Sequence, residues 1–498
     1  MIHQLPALIV TVPLLSVCCV VMAGWLRRSL CFPLTVFALV VAAGSAIGMA
    51  IQVIIQGPIL YKLGGWPPPI GIAYNIDYLN ALVLVVVSTA AFLNLIAARK
   101  SIEKEQQDKA PTFYALYILS VTGLLGMVVT GDAFNLYVLL EISSLSGYSL
   151  VATGSDRAQL STLNYLFLGT IGASLYLLGV GFLYMVTGTL NMADLAHLLP
   201  PLYSSRTVLV AFLLIIVGVW LKAAFFPLHA WLPNAYTHAN SAASSLLAPL
   251  MTKVMIYVML RMMLTVFTPA FIFHQLTVNR GIVWLAVLAI VAGAVMALAQ
   301  RDLKRMLTYI IVSEVGYMVG GAWLGNATGL TGAILHVLND ALMTLCVFMA
   351  VGNIVYKVNG YQFSDIKGLF AKMPFTMTAL VAGALSIIGV PPFCGFFSKW
   401  YLLQGALEAG HYGFLVALLF SSLVNVVLFF RVFEIMFFEG DASHDHHHGH
   451  GAVAVQMAEA PVSMVVPLWI VALLLVLVGL YTRDIVTLFI GRALTGLG

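Results

Sequence analysis

Two lysines in strongly apolar sequence suggest that this chain carries charge through a membrane. Lys222 lies in GVWLKAAFFPLHAWLPNAYTHAN, and Lys253 lies in the apolar segment that follows. A lysine inside hydrocarbon is costly, so such a residue marks a functional site by default. Pro227 and Pro233 are predicted to interrupt the intervening helix and to free backbone carbonyls, which are tolerated only beside a polar cavity. This segment therefore predicts a watered path for a charge.

Glu141 is the predicted counter-charge of Lys222. The segment GDAFNLYVLLEISSLSGYSL contains four residues that follow one another at intervals of four, three and four positions, so they share one face of a helix. They are Tyr137, Glu141, Ser144 and Tyr148. Burial disfavours the charged form of a lysine and an adjacent carboxylate favours it, so such a pair can switch by exchanging a proton. The alternative is a carboxyl that only packs helices through hydrogen bonds to serine and tyrosine.

A second polar face is predicted in GAILHVLNDALMTLCVF, where His336, Asp340 and Thr344 are spaced four residues apart. An intramembrane histidine is often a satisfied core residue, but an aspartate one turn away favours a proton relay. Helix capping does not explain these residues, because the apolar run continues on both sides.

Three pairs of charged residues recur at a nearly constant offset. They are Lys222 and Lys399, Lys253 and Arg431, and Glu141 and Glu314, separated by 177, 178 and 173 positions. The offset suggests that spans four to eight are repeated by spans nine to thirteen, and the odd number inverts the second copy in the membrane. GVPPFCGFFSKW supplies a second helix break, at Pro391 and Pro392, close to Lys399. Because its own span lacks a carboxylate, we expect the nearest charged neighbours of Lys399 to be His336 and Asp340.

Two arginines have a simpler interpretation. Arg261 and Arg431 fit helix-end residues whose side chains reach the membrane interface. For Arg431, Glu434 three positions later offers an ion pair.

Composition places this pattern in a polytopic membrane protein of the all-α class. The 498 residues are 61% hydrophobic and 8% charged, with a mean hydropathy of +1.02, whereas soluble proteins carry about 25% charged residues. Neither the formal net charge of +4 nor any basic tract predicts nucleic-acid binding. The five cysteines lie in apolar spans without the spacing of a metal site or a disulfide framework. No cofactor or metal is expected.

About fourteen membrane-spanning helices are predicted, with helices 7 and 12 broken. The predicted units are three N-terminal helices at 1–111, a five-helix repeat at 112–267, a second, inverted repeat at 281–438, a His-rich cytoplasmic loop at 439–461, and a last helix with the C-terminus at 462–498. Basic residues number 13 in one set of alternate loops, Lys304 among them, and 5 in the other. This asymmetry predicts that the first set faces the cytoplasm and that both termini lie outside. We expect the first helix to be retained rather than cleaved as a signal peptide.

The tract HDHHHGHG at 444–451 could bind a divalent metal by its composition. Nothing in the sequence fixes a coordination geometry, so a solvated cytoplasmic loop is the favoured interpretation.

Three motifs resemble the antiporter-like membrane subunits shared by respiratory complex I, membrane-bound hydrogenases and Mrp-type cation/proton antiporters. They are TGDAFNLYVLLEI, VWLKAAFFPLHAWLPNAYTHANSAASSLL and IIGVPPFCGFFSKW. The first is most similar to the D subunit of Mrp antiporters and its hydrogenase-associated relatives. The resemblance implies fourteen helices with two inverted five-helix repeats. The proton-pathway residues of the family fall on Glu141, Lys222, Lys253, His336 and Lys399. The chain departs from many relatives at Thr344, where they carry a lysine.

The expected function is proton translocation, with sodium as the coupled cation of an antiporter, by one subunit of a larger complex in the prokaryotic cytoplasmic membrane. The expected partners are other membrane subunits, protons, sodium in the antiporter case, and lipid, but not nucleic acid. The alternatives are a proton-pumping subunit of a hydrogenase or NADH:quinone oxidoreductase, and a stand-alone secondary carrier. A haem-binding redox subunit is disfavoured, because bis-histidine ligation needs two facing intramembrane histidines and only His336 is clearly mid-span. The chain carries no predicted catalytic site of its own, and whether its complex is an enzyme is left open.

Overall fold

Long helices dominate the computed structural model, which describes residues 2–155, 157–438 and 458–495. The tract 444–451 and most of the predicted loop at 439–461 lie outside these residues. The helices are α1 (Leu5–Leu26), α2 (Cys31–Gln56), α3 (Tyr78–Glu105), α4 (Ala110–Val129), α5 (Ala133–Ala152), α6 (Ala158–Thr187), α7 (Met192–Leu198), α8 (Arg206–Ala223), α9 (Trp231–His238), α10 (Ser241–Arg261), α11 (Asn279–Leu298), α12 (Leu303–Trp323), α13 (Ala327–Val358), α14 (Leu369–Lys372), α15 (Pro374–Ile388), α16 (Cys394–Glu408), α17 (Tyr412–Phe438), α18 (Val462–Leu480), α19 (Thr482–Ile485) and α20 (Gly491–Thr495). Two short strands, β1 (Ile59–Lys62) and β2 (Ala73–Ile76), pair antiparallel with Ile59 opposite Ile76.

Within the described ranges, 11 helical segments are long and apolar enough to cross a membrane. The chain is therefore a multi-pass membrane protein. The apolar windows of α10 and α13 are 100% buried inside the protein, whereas that of α1 is 28% buried. Polar side chains on α10 and α13 are consequently shielded from lipid by neighbouring helices.

Two helices near the centre are interrupted. α8 ends where Ala224 adopts φ +58°, and the chain turns through Pro227 before α9 begins. α15 ends at Gly389, with φ +95°, and Pro391 and Pro392 precede α16. Pro233 does not interrupt a helix as predicted. It is the third residue of α9, and a proline is tolerated in a first turn because N–H groups there have no intrahelical acceptor.

A close contact between glycines holds α8 against α6. A Cβ on Gly218 would lie 2.5 Å from the carbonyl oxygen of Gly172, so the two backbones pack directly against each other. Small residues allow such approaches between membrane helices. Gly218 lies one turn before Lys222, and a Cβ on Gly172 would lie 3.3 Å from Lys222 Cγ, so the same contact brings the lysine side chain against α6.

Contacts between loops define the two ends of the helix bundle. Lys104 Nζ donates to the Tyr356 carbonyl oxygen at 2.7 Å and to Asn359 Oδ1 at 2.8 Å. The backbones of Asp302 and Gln362 form an isolated antiparallel β-bridge. We call this end, formed by residues 99–109, 299–305 and 357–372, the basic end. The opposite end contains the bridges between Tyr74 and Thr130 and between Asp132 and Asn191.

Candidate functional site

Lys222 is held at the end of α8, beside the first helix break. Its ammonium group lies 3.7 Å from Glu141 Oε1 and donates to Ser144 Oγ at 2.6 Å and to the Tyr148 hydroxyl at 3.1 Å. All three partners project from α5, so the polar face read from the sequence surrounds one lysine. The Lys222 side chain is 1% exposed and that of Glu141 is 23% exposed. The carboxyl of this pair therefore also reaches the surface of the chain.

Lys253 and Asp340 form an ion pair between α10 and α13, the two most enclosed helices. Lys253 Nζ lies 2.9 Å from Asp340 Oδ2, and both side chains are buried. Thr344 Oγ1 donates to Asp340 Oδ1 at 2.7 Å and lies 3.5 Å from Lys253 Nζ. The polar face of α13 thus supplies both the counter-ion and a hydroxyl to the lysine of α10.

Glu314, on α12, adds a second carboxyl to this pair. It is 0% exposed and interacts with Asp340, Lys253 and Lys399. Two neighbouring carboxylates inside a protein repel each other, so a state with one of Glu314 and Asp340 protonated is favoured over a state with both ionised. Glu314 consequently interacts with two lysines on different helices.

Lys399 is bound at the second helix break. Its ammonium donates to the carbonyl oxygens of Ile387 and Ile388 at 2.6 and 3.3 Å and to Ser422 Oγ at 3.2 Å. The two carbonyls end α15, and the break frees them from intrahelical bonds. The expected charged neighbours were His336 and Asp340. Both interact with Lys399, and Glu314 is a further charged partner, because α12 packs beside α13 and α16.

His336 lies on α13 between these groups and α16. Its Nδ1 is 2.9 Å from Ser398 Oγ, next to Lys399 in the chain. Its ring lies 5.3 Å from that of Tyr317, and the Lys399 ammonium lies 5.3 Å from the same ring. Nε2 is buried and has no hydrogen-bond partner among the described residues. His336 therefore has one nitrogen in a contact with α16 and one available to exchange a proton.

Two of the predicted supporting residues lie apart from these contacts. Tyr137 packs with Phe134, the ring centroids 6.0 Å apart, and is not bonded to Lys222. Arg431 is exposed and lies over the Phe363 ring at 5.1 Å. Among the described residues, Arg431 and Glu434 do not form the predicted ion pair. The Arg431 guanidinium contacts the Phe363 ring instead.

Arg261 is the last residue of α10, and its side chain lies in an ion pair. It is 7% exposed, and its guanidinium binds both oxygens of Asp77 at 2.6 and 3.1 Å. Its Nε also donates to the Tyr257 hydroxyl at 3.1 Å. Asp77 caps the start of α3, so this pair ties α3 to the end of α10, away from the basic end.

Lys304 was counted as a loop residue, but it is buried at the basic end. Its ammonium donates to the Ala239 carbonyl oxygen at 2.7 Å, between α9 and α10, and lies over the Tyr361 ring at 5.4 Å. It also interacts with Glu105, whose carboxylate accepts the Ser241 N–H at 3.3 Å. The charged residues of this short loop do not predict that the Lys304 side chain is buried. In the described part of the chain, no three His, Cys, Asp or Glu side chains gather as metal ligands.

Comparison with known proteins identifies the family. The family model described as NADH:quinone oxidoreductase/Mrp antiporter, TM matches residues 130–425, a range that contains Glu141 to Lys399. The chain is 42% identical to the NADH-quinone oxidoreductase subunit N of Desulforudis audaxviator, over 99% of this chain and 98% of that protein. It is 33% identical, over 78% of this chain and 77% of the relative, to a Staphylococcus aureus protein whose name describes it as antiporter subunit mnhD2. A chain of the membrane-bound sulfane sulfur reductase, an archaeal respiratory membrane complex, matches with a TM-score of 0.89 and 31% identity, over 98% of this chain and 97% of that chain. The chain therefore belongs to the NADH:quinone oxidoreductase/Mrp antiporter family of membrane subunits.

Proposed function

We propose that this chain is the proton-translocating subunit of a multisubunit membrane complex. Protons would move along a row formed by Glu141, Lys222, Lys253, His336 and Lys399. One observation carries the proposal. Ionisable side chains follow one another through the enclosed middle of the bundle, in two lysine–carboxylate pairs and a third lysine held by freed carbonyls. A purely structural role would not require such residues, because each buried charge is costly.

Each transfer moves one proton and no electrons. A neutral lysine accepts a proton when its carboxylate partner is close, because the ion pair stabilises the ammonium form. When Glu141 moves away or becomes protonated, the Lys222 ammonium loses that stabilisation and releases its proton towards the Lys253–Asp340 pair. Glu314 and Asp340 can then hold the proton between Lys253 and Lys399.

The inverted repeat is part of this proposal. The first unit, 112–267, contains a glutamate on its second helix and a lysine at its broken helix, and the second unit, 281–438, contains Glu314 and Lys399 in the same order. In both units the first helix packs on the second, the second on the third, and the third on the lysine-bearing half of the broken helix. These helices are α4, α5, α6 and α8 in the first unit and α11, α12, α13 and α16 in the second. The exposed Arg431 does not share the buried position of Lys253. Adding α5, α12 and the broken pair α15–α16 to the 11 spanning segments gives fourteen, with 1–111 and 462–498 flanking the repeats.

We further propose a redox-driven complex rather than a cation antiporter. The relative at 42% identity is a subunit of an NADH-quinone oxidoreductase, and the structural match at 31% identity belongs to a respiratory complex. The antiporter relative shares 33%. Purification of the complex through a tag on this chain should recover iron–sulfur subunits, identified by mass spectrometry and iron analysis. Recovery of small membrane subunits alone would favour the antiporter.

The central experiment measures proton movement in vesicles that carry the whole complex, with a trapped pH-sensitive dye. Glu141→Gln and Lys222→Ala should abolish proton movement. Lys222→Ala should also leave assembly intact, because the Glu141 carboxyl is partly exposed and tolerates loss of its partner. Lys100→Ala is the matched control, since Lys100 is an exposed lysine of the same chain, paired with Glu103 at 2.8 Å. A wild-type rate in Glu141→Gln would remove the basis for this pathway.

The same vesicles separate a subunit from a stand-alone carrier. The isolated chain should be inactive in liposomes, because a subunit needs its partners to couple proton movement to a driving reaction. Solute-dependent proton movement by the isolated chain would support the carrier instead.

We propose that the basic end faces the cytoplasm and that both termini lie outside, following the distribution of basic residues. Lys109→Cys should be shielded from membrane-impermeant thiol reagents in intact cells, and Arg483→Cys should be labelled. Both positions are exposed. The test uses a chain without Cys18 and Cys19, the exposed native cysteines. The reverse labelling pattern would invert the orientation.

A further inference from the structure

A set of buried hydroxyl groups, separate from the charged row, leads from Lys222 towards the basic end. Tyr148 on α5 accepts a hydrogen bond from Lys222 at 3.1 Å. The Tyr165 ring, on α6, packs edge-on against Tyr148 with ring centroids 4.5 Å apart. Tyr165 and Tyr236, the latter on α9, both pack against the Trp231 ring, with centroids 4.1 and 5.9 Å away, and Thr237 follows Tyr236 in the chain. We call Tyr148, Tyr165, Tyr236 and Thr237 the hydroxyl row.

Three members of this row lack a protein partner. The hydroxyls of Tyr165, Tyr236 and Thr237 are buried and accept or donate no hydrogen bond to any described residue. A buried hydroxyl left unpaired costs roughly 1–3 kcal/mol, and phenylalanine or valine would fill the same space without that cost. Three such groups in one part of the bundle are therefore not explained by packing. Water is the partner that satisfies buried polar groups of this kind.

The helix break fixes the position of the row. The indole N–H of Trp231, at the start of α9, donates to the Leu221 carbonyl oxygen at 3.0 Å, a carbonyl freed at the end of α8. The same indole stacks on Tyr165 at 4.1 Å and meets Tyr236 at 5.9 Å. α9 therefore begins beside Lys222 and carries Tyr236 away from it.

The far end of α9 reaches the basic end. Asn240, just after it, donates to Thr153 Oγ1 at 2.6 Å at the end of α5, and the Ala239 carbonyl oxygen accepts from Lys304 at 2.7 Å. The hydroxyl row thus spans the distance between the lysine in the interior and the loops at one surface.

We propose that the hydroxyl row, with water between its members, is a relay that supplies protons to Lys222 from the basic end; this rests on the proposed function. A proton passes from the Tyr148 hydroxyl to the neutral Lys222 amine, while the Tyr148 oxygen accepts a proton from the next water in the row. The same exchange is repeated at Tyr165, Tyr236 and Thr237. One proton leaves solvent at the basic end, Lys222 becomes an ammonium group, every hydroxyl is restored, and no electrons move.

The test uses Tyr165→Phe and Tyr236→Phe in the complete complex, reconstituted in vesicles. Each change removes a hydroxyl that makes no hydrogen bond to the described protein, so assembly should be unaffected. Tyr176→Phe is the matched control, because Tyr176 lies on the same helix as Tyr165, is equally buried, and donates to the Ala133 carbonyl oxygen at 3.0 Å. We expect proton movement to slow roughly 10-fold or more in the first two variants, as for loss of a proton-transfer group, and to stay near wild type in the control.

A second readout distinguishes a relay from a packing role. If proton uptake becomes the slow step, the rate ratio between H₂O and D₂O should rise in Tyr165→Phe and Tyr236→Phe above that of the wild type. A slower rate with an unchanged ratio, or an equal loss in Tyr176→Phe, would overturn the relay. So would wild-type rates in both variants.

Lys222→Ala separates failure of the relay from failure of the proposed function. If Lys222→Ala is inactive while the two phenylalanine variants run at the wild-type rate, the relay alone is wrong. If Lys222→Ala also moves protons normally, the proposed pathway is wrong, and the relay with it.

Discussion

The Tyr148 hydroxyl packs against the backbone of Gly169 so closely that a methyl group at Gly169 would overlap it. The same hydroxyl bonds to the Lys222 ammonium at 3.1 Å. A glycine on α6, with no polar side chain, therefore determines whether Tyr148 on α5 reaches the lysine on α8. Three helices meet at this point, and a small residue on one of them sets the geometry of the hydrogen bond between Tyr148 and Lys222.

We predict that Gly169→Ala reduces proton movement by displacing Tyr148 from Lys222. Alanine normally stabilises a helix interior relative to glycine by about 1 kcal/mol, whereas overpacking a filled site costs about 1–3 kcal/mol. Gly181→Ala, on the same helix with open space around it, is the control and should be at least as stable as the wild type, with normal transport. Thermal unfolding of the complex and the vesicle assay together check this. Normal transport in Gly169→Ala would show that Tyr148 is not needed at the ammonium.

The ion pair between Lys253 and Asp340 gives a second prediction. Asp340→Asn should abolish transport and lower stability by about 3–5 kcal/mol, because it leaves an ammonium group buried without a counter-charge. The double variant Lys253→Met, Asp340→Leu should regain most of that stability, since an apolar pair of similar volume removes both charges, but it should not move protons. Thermal unfolding and vesicle transport separate these effects. A double variant that pumps protons would exclude this pair from the pathway.

Features confined to one helix could be predicted from the sequence. Glu141, Ser144 and Tyr148 lie on one face because helical spacing alone decides it, and Lys222 was paired with them because a buried cation requires a partner. The breaks near Pro227 and Pro391 follow from the missing N–H of proline. Pro233 was misread, because its effect depends on where in the helix it falls.

Contacts between distant helices could not be predicted in the same way. The sequence contains no signal that α13 would bring Asp340 to Lys253, or that α3 would bring Asp77 to Arg261. The sequence predicts that Lys304 is a loop residue, because the other three charged residues of AQRDLKR give no sign that the Lys304 side chain is buried. Periodicity shows which residues share a face, whereas packing decides what that face meets.

The pair of Asp77 and Arg261 predicts a pH dependence of stability. Burial alone would raise the pKa of the Asp77 carboxyl, but the charge and hydrogen bonds of Arg261, with the N–H groups of Asn80 and Leu79, lower it below its ordinary value. A carboxyl with a lowered pKa in the folded state adds stability above its unfolded pKa, about 4, and loses it as the pH falls through the folded value. The difference in unfolding temperature between wild type and Asp77→Asn should therefore be constant from pH 8 to 5 and shrink only below about pH 4. A difference that disappears already between pH 8 and 6 would contradict this assignment.

Lys399 provides the last prediction, because it is both a candidate proton site and a structural donor. Its ammonium binds the carbonyl oxygens of Ile387 and Ile388, which the helix break leaves without partners. Lys399→Ala removes the proton site and the donor together, so loss of transport in that variant alone does not distinguish the two roles. Lys399→Gln keeps an N–H donor for a freed carbonyl but cannot carry a proton, and Lys399→Arg keeps the charge but cannot release it, since arginine is always protonated in proteins.

All three Lys399 variants should stop proton movement in vesicles, and Lys399→Gln and Lys399→Arg should assemble as well as the wild type. Lys100→Ala again serves as the exposed-lysine control. Transport by Lys399→Gln at the wild-type rate would mean that the lysine only satisfies the carbonyls of α15 and that protons leave the row elsewhere. Glu314, an ionisable group that interacts with both Lys399 and Asp340, would then be the residue to substitute next.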